Sequence, residues 1–324
     1  MSTRADRTQP VNPVDKNLVA AMKARREAEG LSLRALAARI NVSFSTLARI
    51  ERGEGTPDHN SRVRILNWLG QHAEELGIDV GQVALVHFRA SKNIGSKTVE
   101  SLVATAEQMR SVLGWPPLAA TLEDQFRQPH AVFRSKQELE DEAKSFRSEL
   151  GLGPDDPLDP GLLQVDRVQV MTLEDVWPSM HPVRTYLEEV AAQDWSAMSA
   201  PLDSEEALWV VLLNHCQSEE RQRVTLLEEF WHIMLGHHPT KVAKVGGVYG
   251  RTYDAVEEHD AFYLAAASML PIDAIKRAVA GRLGAEVIAS RFGTSRELVE
   301  YRIKRLGLWN AHMGRAVKFT LNKA

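Results

Sequence analysis

The feature that most constrains the fold of this chain is a pair of short amphipathic segments separated by a short turn that contains an asparagine, within residues 32–53. Ser32 precedes the segment Leu33–Ile40 and Ser43 precedes the next segment. Serine is a preferred N-cap because its hydroxyl accepts a hydrogen bond from a free backbone N–H of the first turn. Asn41 lies where the connection needs a left-handed backbone, which glycine and, less easily, asparagine adopt at low cost. The pattern predicts two capped helices joined by a tight turn.

The second of these helices is predicted to carry its polar side chains at its N-terminal end, while Leu47 and Ile50 face the core. A helix that enters the major groove of DNA by this end can read bases, because arginine pairs bidentately with guanine and short hydroxyls bond several base edges. The predicted base-reading residues are Ser43, Phe44, Ser45, Thr46 and Arg49. The arginines predicted to contact phosphates, which give affinity without sequence choice, are Arg25, Arg26, Arg34, Arg39 and Arg52.

The N-terminal sequence resembles the lambda-repressor-like (XRE) helix-turn-helix family. The resemblance is carried by the segment MKARREAEGLSLRALAARINVSFSTLARIERGEGTPD, which contains STLARIERG at Ser45–Gly53. The resemblance covers about residues 17–70. It implies a five-helix bundle with Ser61–Leu69 as the closing helix, and a homodimer bound to a double-stranded DNA operator. Many members have glutamine where Leu33 opens the first helix of the pair, so one DNA contact differs here. The alternative is a helical bundle whose arginines are merely solvated.

Charge is unevenly distributed along the 324 residues. Residues 1–70 contain twelve Lys and Arg against seven Asp and Glu, whereas the whole chain has a net charge of −4. The cationic N-terminal part therefore suits nucleic acid. The single cysteine, Cys216, cannot form an internal disulfide, the N-terminus has no apolar signal segment, and no run of eighteen apolar residues occurs. We expect a cytoplasmic protein with no membrane partner.

The length predicts a modular protein of mainly α fold class, with a small α+β second domain. The predicted domains are a flexible arm at 1–15, the helix-turn-helix domain at 16–70, a helical linker at 71–135, the second domain at 136–310 and a tail at 311–324. In the second domain, strands are predicted at Val165–Met171 and Ala207–Leu213. Its predicted helices are Lys136–Leu150, Arg221–Gly236, Val256–Leu270, Ala285–Phe292 and Arg296–Gly307.

The helix Arg221–Gly236 contains the pentad Glu228-Glu229-Phe230-Trp231-His232. In zinc peptidases two histidines four residues apart on one helix hold Zn²⁺, and a glutamate after the first histidine polarises the attacking water. A glutamate, Glu228, stands at the first ligand position of this pattern. The spacing therefore indicates a metal-binding helix with an altered ligand.

The sequence around this helix resembles the ImmA/IrrE-type metallopeptidase family over about residues 136–310. Three segments carry the resemblance: LWVVLLNHCQSEERQRVTLLEEFWHIMLGH, VEEHDAFYLAAASMLP and ASRFGTSRELVEYRIKRLGL. The resemblance implies a zincin-like domain that ends in a helix-turn-helix-like pair at 285–308. It also implies that Glu228, His232 and Glu258 would be the metal ligands and Glu229 the catalytic residue.

Replacing a histidine ligand by Glu228 makes the bound water of a Zn²⁺ site less acidic and shifts the preference toward harder ions such as Mn²⁺. Three alternatives stay open: a domain without peptidase activity, an altered but working Zn²⁺ or Mn²⁺ site, and a structural ion. Because His237 follows His232 by five residues, it is predicted to lie off the ligand face. His237, His238 and His259 are accordingly predicted at the surface, and Met234, Met269 and Leu270 in the core.

The C-terminal helix pair repeats the pattern of a helix, a left-handed turn and a capped helix. Glu297 and Glu300 would oppose phosphates, so the pair is predicted to pack or dimerise rather than to read bases. The leading function is a transcriptional regulator, a repressor, whose second domain dimerises or senses a signal ligand or partner protein. The alternatives are a metal-dependent site-specific peptidase that cleaves a repressor or itself, and an antitoxin-like regulator of a neighbouring gene.

Overall fold

The computed structural model describes residues 13–69, 80–90, 94–115, 134–203, 208–237, 239–245, 248–251 and 254–314. The chain divides into two compact units. The first comprises Met1–Val86, Ile94–Pro129 and Pro239–Tyr253, and the second comprises His87–Asn93, His130–His238 and Asp254–Ala324. Among the described residues, no helix has both the length and the apolar character needed to cross a membrane.

The helices of the described residues, in chain order, are α1 (Pro13–Ala28), α2 (Leu33–Arg39), α3 (Phe44–Glu51), α4 (His59–Leu69), α5 (Ser96–Val112), α6 (Lys136–Glu149), α7 (Leu173–Val176), α8 (Pro182–Thr185), α9 (Glu219–Met234), α10 (Ala255–Met269), α11 (Ile272–Ala280), α12 (Ala285–Phe292), α13 (Arg296–Arg305) and α14 (Trp309–His312). A 3₁₀ turn spans Pro160–Leu162, and a π-helical turn, Tyr186–Val190, continues α8. The strands are β1 (Val80–Ala90), β2 (Val168–Met171), β3 (Trp195–Asp203), β4 (Leu208–Leu213), β5 (Thr240–Val245) and β6 (Val248–Arg251).

The N-terminal helices pack around one apolar core in the first unit. Leu18 and Met22 of α1, Leu36 of α2, Leu47 of α3 and Ile65 of α4 are fully buried and belong to this core. Residues 13–69 thus contain four of the expected five helices, and residues 70–79 lie outside the described part. The expected flexible arm at 1–15 overlaps helix α1, which begins at Pro13.

The region predicted as a helical linker, 71–135, contains a strand as well as helix α5. In the first unit, the beginning of β1 pairs antiparallel with β5, and β5 pairs antiparallel with β6. The backbone N–H of Tyr249 in β6 donates to Ser96 Oγ at 3.0 Å. Because β1 pairs with residues about 160 positions away, its local sequence does not reveal the pairing that stabilises it.

The second unit contains a small sheet in which β2 pairs parallel with β4 and β4 pairs antiparallel with β3. Residues His87–Ala90 of β1 pair antiparallel with β3. The sequence predicted β2 and β4, which begin three residues and one residue later than expected and end where expected, but it did not predict β3. Leu227, Phe230 and Trp231 of α9 are buried in a core cluster that also contains residues of β3, β4 and α10. This packing places the face of α9 that carries Glu228 against α10.

A buried ion pair links helices of the second unit. The guanidinium of Arg302 on α13 donates to both carboxylate oxygens of Glu140 on α6, each at 2.6 Å, and its Nε donates to the carbonyl of Leu270 at 2.9 Å. Tyr263 of α10 donates its hydroxyl to the same carboxylate. Burial favours a raised pKa for Glu140, but the hydrogen bonds and charge of Arg302 outweigh it and the pKa is lowered. Burial and Glu140 raise the pKa of Tyr263 to about 12.

The C-terminal pair α12–α13 follows the predicted local pattern. Gly293 has φ +62 and ends α12, and Ser295 caps α13 by accepting a hydrogen bond from the backbone N–H of Leu298 at 3.2 Å. Arg296 pairs with Glu286 at 2.9 Å and with Glu300 at 2.8 Å. These pairs neutralise the exposed start of α13 locally.

Candidate nucleic-acid interface and metal centre

The turn between α2 and α3 has the geometry that its sequence predicts. Asn41 adopts φ 53, and Val42 after it is buried. Ser32 caps α2 by accepting from Ala35 N at 3.1 Å, and Ser43 caps α3 by accepting from Thr46 N at 3.1 Å. The buried Leu47 and Ile50 fix the inner face of α3, so the opposite face and the N-terminal end are presented to solvent.

Of the predicted base-reading residues, Ser43, Phe44, Ser45 and Arg49 are exposed and Thr46 is partly buried. The Ser43 hydroxyl donates to Thr46 Oγ1 at 2.7 Å and its oxygen lies 3.1 Å from Ser45 Oγ. Phe44 keeps 45% of its surface accessible despite being a large apolar residue. The surface formed by Phe44, Ser45 and Arg49 is called the α3 face below. It offers an apolar ring, a hydroxyl and a guanidinium, which are groups that bond or contact base edges in the major groove.

Three arginines predicted to contact phosphates stay at the surface of the first unit. The guanidinium of Arg34 lies 5.2 Å from the ring centroid of Phe44, which places this cation beside the α3 face. Arg39 lies 3.3 Å from a Glu29 carboxylate oxygen and Arg52 lies 2.8 Å from Glu54. These surface ion pairs are weak enough to be exchanged for phosphate oxygens.

The remaining two arginines predicted to contact phosphates, Arg25 and Arg26, have partners within the first unit. Arg25 donates to the carbonyls of Trp68 and Leu69, and Arg26 pairs with Glu51 at 2.5 Å. Both guanidiniums are committed to bonds within the helical bundle. Spacing along α1 does not reveal this, because the acceptors lie far away in sequence.

The second candidate site is a cluster of three potential metal ligands in the second unit. Glu228 and His232 lie one helical turn apart on α9, and Glu258 lies in the first turn of α10. One donor atom from each residue lies within 4.8 Å of the other two. Glu228 and His232 are buried, and Glu258 is partly exposed. The structure therefore brings together all three residues that the resemblance implied as ligands.

The donor set fits a divalent cation. Two carboxylates and one imidazole supply the oxygen and nitrogen donors that Zn²⁺ and Mn²⁺ accept, and the two carboxylates would balance the charge of the ion. Bonds of about 2.1 Å require donors to lie within about 4 Å of one another. The donor atoms here lie within 4.8 Å of one another. When bound, such an ion would polarise water or a carbonyl oxygen.

Glu229, the predicted catalytic residue, has a partner that sequence reasoning missed. It is 1% exposed, and its carboxylate accepts a hydrogen bond from Ser199 Oγ of β3 at 2.7 Å. Ser199 is fully buried in a strand that was not predicted, so no signal in the sequence pointed to it. This hydrogen bond occupies one carboxylate oxygen and holds Glu229 toward the sheet.

His237 was predicted at the surface, and this was wrong, since it is 8% exposed and its Nδ1 lies 3.0 Å from Nδ1 of His232. The prediction assumed that the helix continues through residue 236. Instead α9 ends at Met234, and Gly236 with φ +63 turns the chain back. Met234 was predicted in the core, but it is 42% exposed in this last turn. His259 is exposed beside Asp260, as predicted, while His238 lies outside the described residues.

The fold and these two sites define a protein that joins a helix-turn-helix DNA-binding domain to a domain of metallopeptidase-like fold. A helix-turn-helix family model matches residues 22–58, and the model described as IrrE N-terminal-like domain, of a peptidase family, matches residues 181–304. The chain is thus a fusion of an XRE-type helix-turn-helix domain with an ImmA/IrrE-type domain. Neither the curated proteins nor the solved structures include a significant match to the chain.

Proposed function

We propose that this protein is a sequence-specific transcriptional repressor that binds an operator as a homodimer. The observation that carries the proposal is the α3 face, where Phe44, Ser45 and Arg49 are exposed at the start of a helix whose other side is buried. The exposed Phe44 lies beside two polar residues predicted to contact bases and has no role in the bundle core. Its ring can contact thymine methyl groups. In this proposal the second unit dimerises or responds to a signal ligand or partner protein.

The test starts by selecting duplexes from a random library with the full-length protein and measuring binding by fluorescence anisotropy. Arg49→Ala is expected to reduce discrimination between the selected and a scrambled duplex by about 10-fold to 100-fold, since a bidentate arginine–guanine pair is worth about 1–3 kcal/mol. Arg39→Ala is expected to weaken both duplexes alike and to lower the salt dependence. Arg277→Ala, an exposed arginine of the second unit, is the matched control and should change neither affinity.

A reporter promoter that contains the selected duplex tests repression directly. Expression is expected to fall when the wild-type protein is present and to recover with Arg49→Ala. Sedimentation measurements check the dimer, and the selected sites should then contain two half-sites about one helical turn apart. Equal affinity of the wild-type protein for selected and scrambled duplexes would contradict sequence-specific binding.

A second candidate function, a metal-dependent peptidase that cleaves a repressor or itself, is favoured by the cluster of Glu228, His232 and Glu258. Against it, Glu228 replaces the histidine expected of such a site, and Glu229 accepts a hydrogen bond from Ser199. We therefore propose a cation site that regulates or stabilises the second unit as the primary role of the cluster. This proposal concerns metal binding and requires no proteolysis.

Metal analysis and cleavage assays separate the two roles. Purified wild-type protein, Glu228→His and Glu229→Gln are each loaded with Mn²⁺ or Zn²⁺, and fragments of the protein itself are sought by mass spectrometry. The regulatory role predicts bound metal and an intact chain in the wild type, and a higher Zn²⁺ affinity in Glu228→His. Cleavage by the wild type that disappears in Glu229→Gln would establish the peptidase instead.

A further inference from the structure

The end of helix α9 brings a second histidine against the proposed metal site. Gly236 has a left-handed backbone, and the backbone N–H of His237 donates to the carbonyl of His232 at 3.0 Å. The two imidazole rings meet edge to face with centroids 5.0 Å apart. Both side chains are buried, with 3% and 8% of their surface exposed. This arrangement is built by the turn and places His237 in direct contact with a candidate ligand.

The contact constrains the protons on both rings. The two Nδ1 atoms lie 3.0 Å apart, a hydrogen-bond distance, so one of them carries a proton and the other accepts it. Two Nδ1 protons would clash, and two lone pairs would repel each other. When Nδ1 of His232 is the donor, the lone pair of that ring is on Nε2, which is then the nitrogen able to bind a cation.

We propose that His237 is a positioning residue for the metal site: its Nδ1 accepts the proton of His232 Nδ1 and thereby fixes Nε2 of His232 as the ligand atom beside Glu228 and Glu258. The inference rests on the cation site proposed above. A hydrogen-bond acceptor behind a metal-binding histidine sets the tautomer and the orientation of the ring, and its loss commonly lowers metal affinity by about 10-fold to 100-fold.

If His237 had a purely structural role, any ring of similar size could replace it without changing the tautomer of His232 or the metal affinity. Substitutions at His237 therefore test the proposal. His237→Phe keeps an aromatic ring but has no acceptor. His237→Asn places an amide oxygen close to the position of Nδ1, whereas His237→Gln extends its amide beyond that position. His237→Asn is therefore the rescuing variant and His237→Gln its matched control.

The experiment has two readouts, neither of which needs enzymatic activity. Nitrogen-15 NMR of the metal-free full chain, at one fixed neutral pH, reports which nitrogen of His232 is protonated. Titration with Mn²⁺ or Zn²⁺ gives the metal affinity. We expect an Nδ1–H tautomer in the wild type and in His237→Asn, a mixture of tautomers in His237→Phe and His237→Gln, and a metal affinity about 10-fold to 100-fold lower in these two variants.

Each outcome decides the proposal. A wild-type protein whose His232 is protonated on Nε2, or a folded His237→Phe with unchanged tautomer and metal affinity, overturns the role of His237 and leaves the metal site standing. A wild-type protein that binds neither Mn²⁺ nor Zn²⁺ overturns the metal site and this role together. If His237→Phe does not fold, as judged by circular dichroism, the comparison of His237→Asn with His237→Gln decides the same question.

Discussion

Removing Arg302 is expected to destabilise the second unit strongly. Its side chain is 1% exposed and makes three described hydrogen bonds, two to the carboxylate of Glu140 and one to the carbonyl of Leu270. Arg302→Met fills similar space but leaves Glu140 buried beside Tyr263 without its counter-charge. The groups that lose a partner are therefore the carboxylate of Glu140 on α6 and the carbonyl of Leu270, the residue that follows α10.

The expected magnitude follows from the burial of this pair. Removing one partner of a buried, hydrogen-bonded ion pair costs about 3–5 kcal/mol, because the remaining charge stays buried and unpaired. Replacing all the polar partners by apolar groups avoids most of this cost. We therefore expect the triple variant Glu140→Leu, Tyr263→Phe, Arg302→Met to be within about 2 kcal/mol of the wild type, since only the Leu270 carbonyl then loses its bond.

Urea unfolding of the full chain, followed by tryptophan fluorescence and by hydrogen exchange of the α13 amides, measures these differences. Arg296→Met on the same helix is the matched control, because Arg296 is 58% exposed and its pairs with Glu286 and Glu300 are solvated. The control should leave the unfolding midpoint nearly unchanged. A loss below about 1 kcal/mol in Arg302→Met, or a triple variant less stable than the single one, would refute the reasoning.

Three further predictions concern local features. Arg302 holds the pKa of Glu140 below its ordinary value, so the stability that this pair contributes is fully present at pH values above that ordinary value. It is lost as the pH falls through the lower pKa of the folded state. Urea unfolding at a series of acid pH values should show this pH dependence of the free energy of unfolding in the wild type, and it should be absent in Glu140→Gln. Ser43→Ala is expected to lower the free energy of unfolding of the first unit by about 1 kcal/mol through loss of the α3 cap, measured by thermal denaturation, and an unchanged stability would contradict the capping role. Gly293→Ala is expected to lower the free energy of unfolding by about 1–2 kcal/mol, because residue 293 has φ +62. Gly284→Ala, at an ordinary backbone angle, should be tolerated. Equal effects of the two substitutions would exclude a special role for the left-handed turn.

The local features of this protein could be predicted from the sequence because the groups involved lie within four residues of one another. Asn41 at its turn, the cap by Ser43 and the glycine at 293 depend on backbone angles and first-turn hydrogen bonds, which neighbouring residues determine. The spacing of Glu228 and His232 on one helix is likewise local, so the candidate ligands could be named in advance.

Other features depended on partners distant in sequence. The arginines Arg25 and Arg26 bond acceptors on other segments of the bundle, and Ser199 meets Glu229 only because β3 packs beside α9. Strand β1 forms in a stretch that looked like a helical linker because β3 and β5 supply its hydrogen bonds. Such long-range pairings produce no periodic pattern in the sequence of the paired residues.

The capped helices α2 and α3 were determined by the sequence alone, including which side of α3 is buried. Tertiary structure decided which of the neighbouring arginines stay at the surface: Arg25 and Arg26 bond groups of the bundle, while Arg34, Arg39 and Arg52 are exposed. At the candidate metal site tertiary structure decided the surroundings of the candidate ligands, because a left-handed glycine follows α9 and folds His237 back onto His232. Helical spacing fixes which residues share a face, but only the packed chain determines what lies opposite that face.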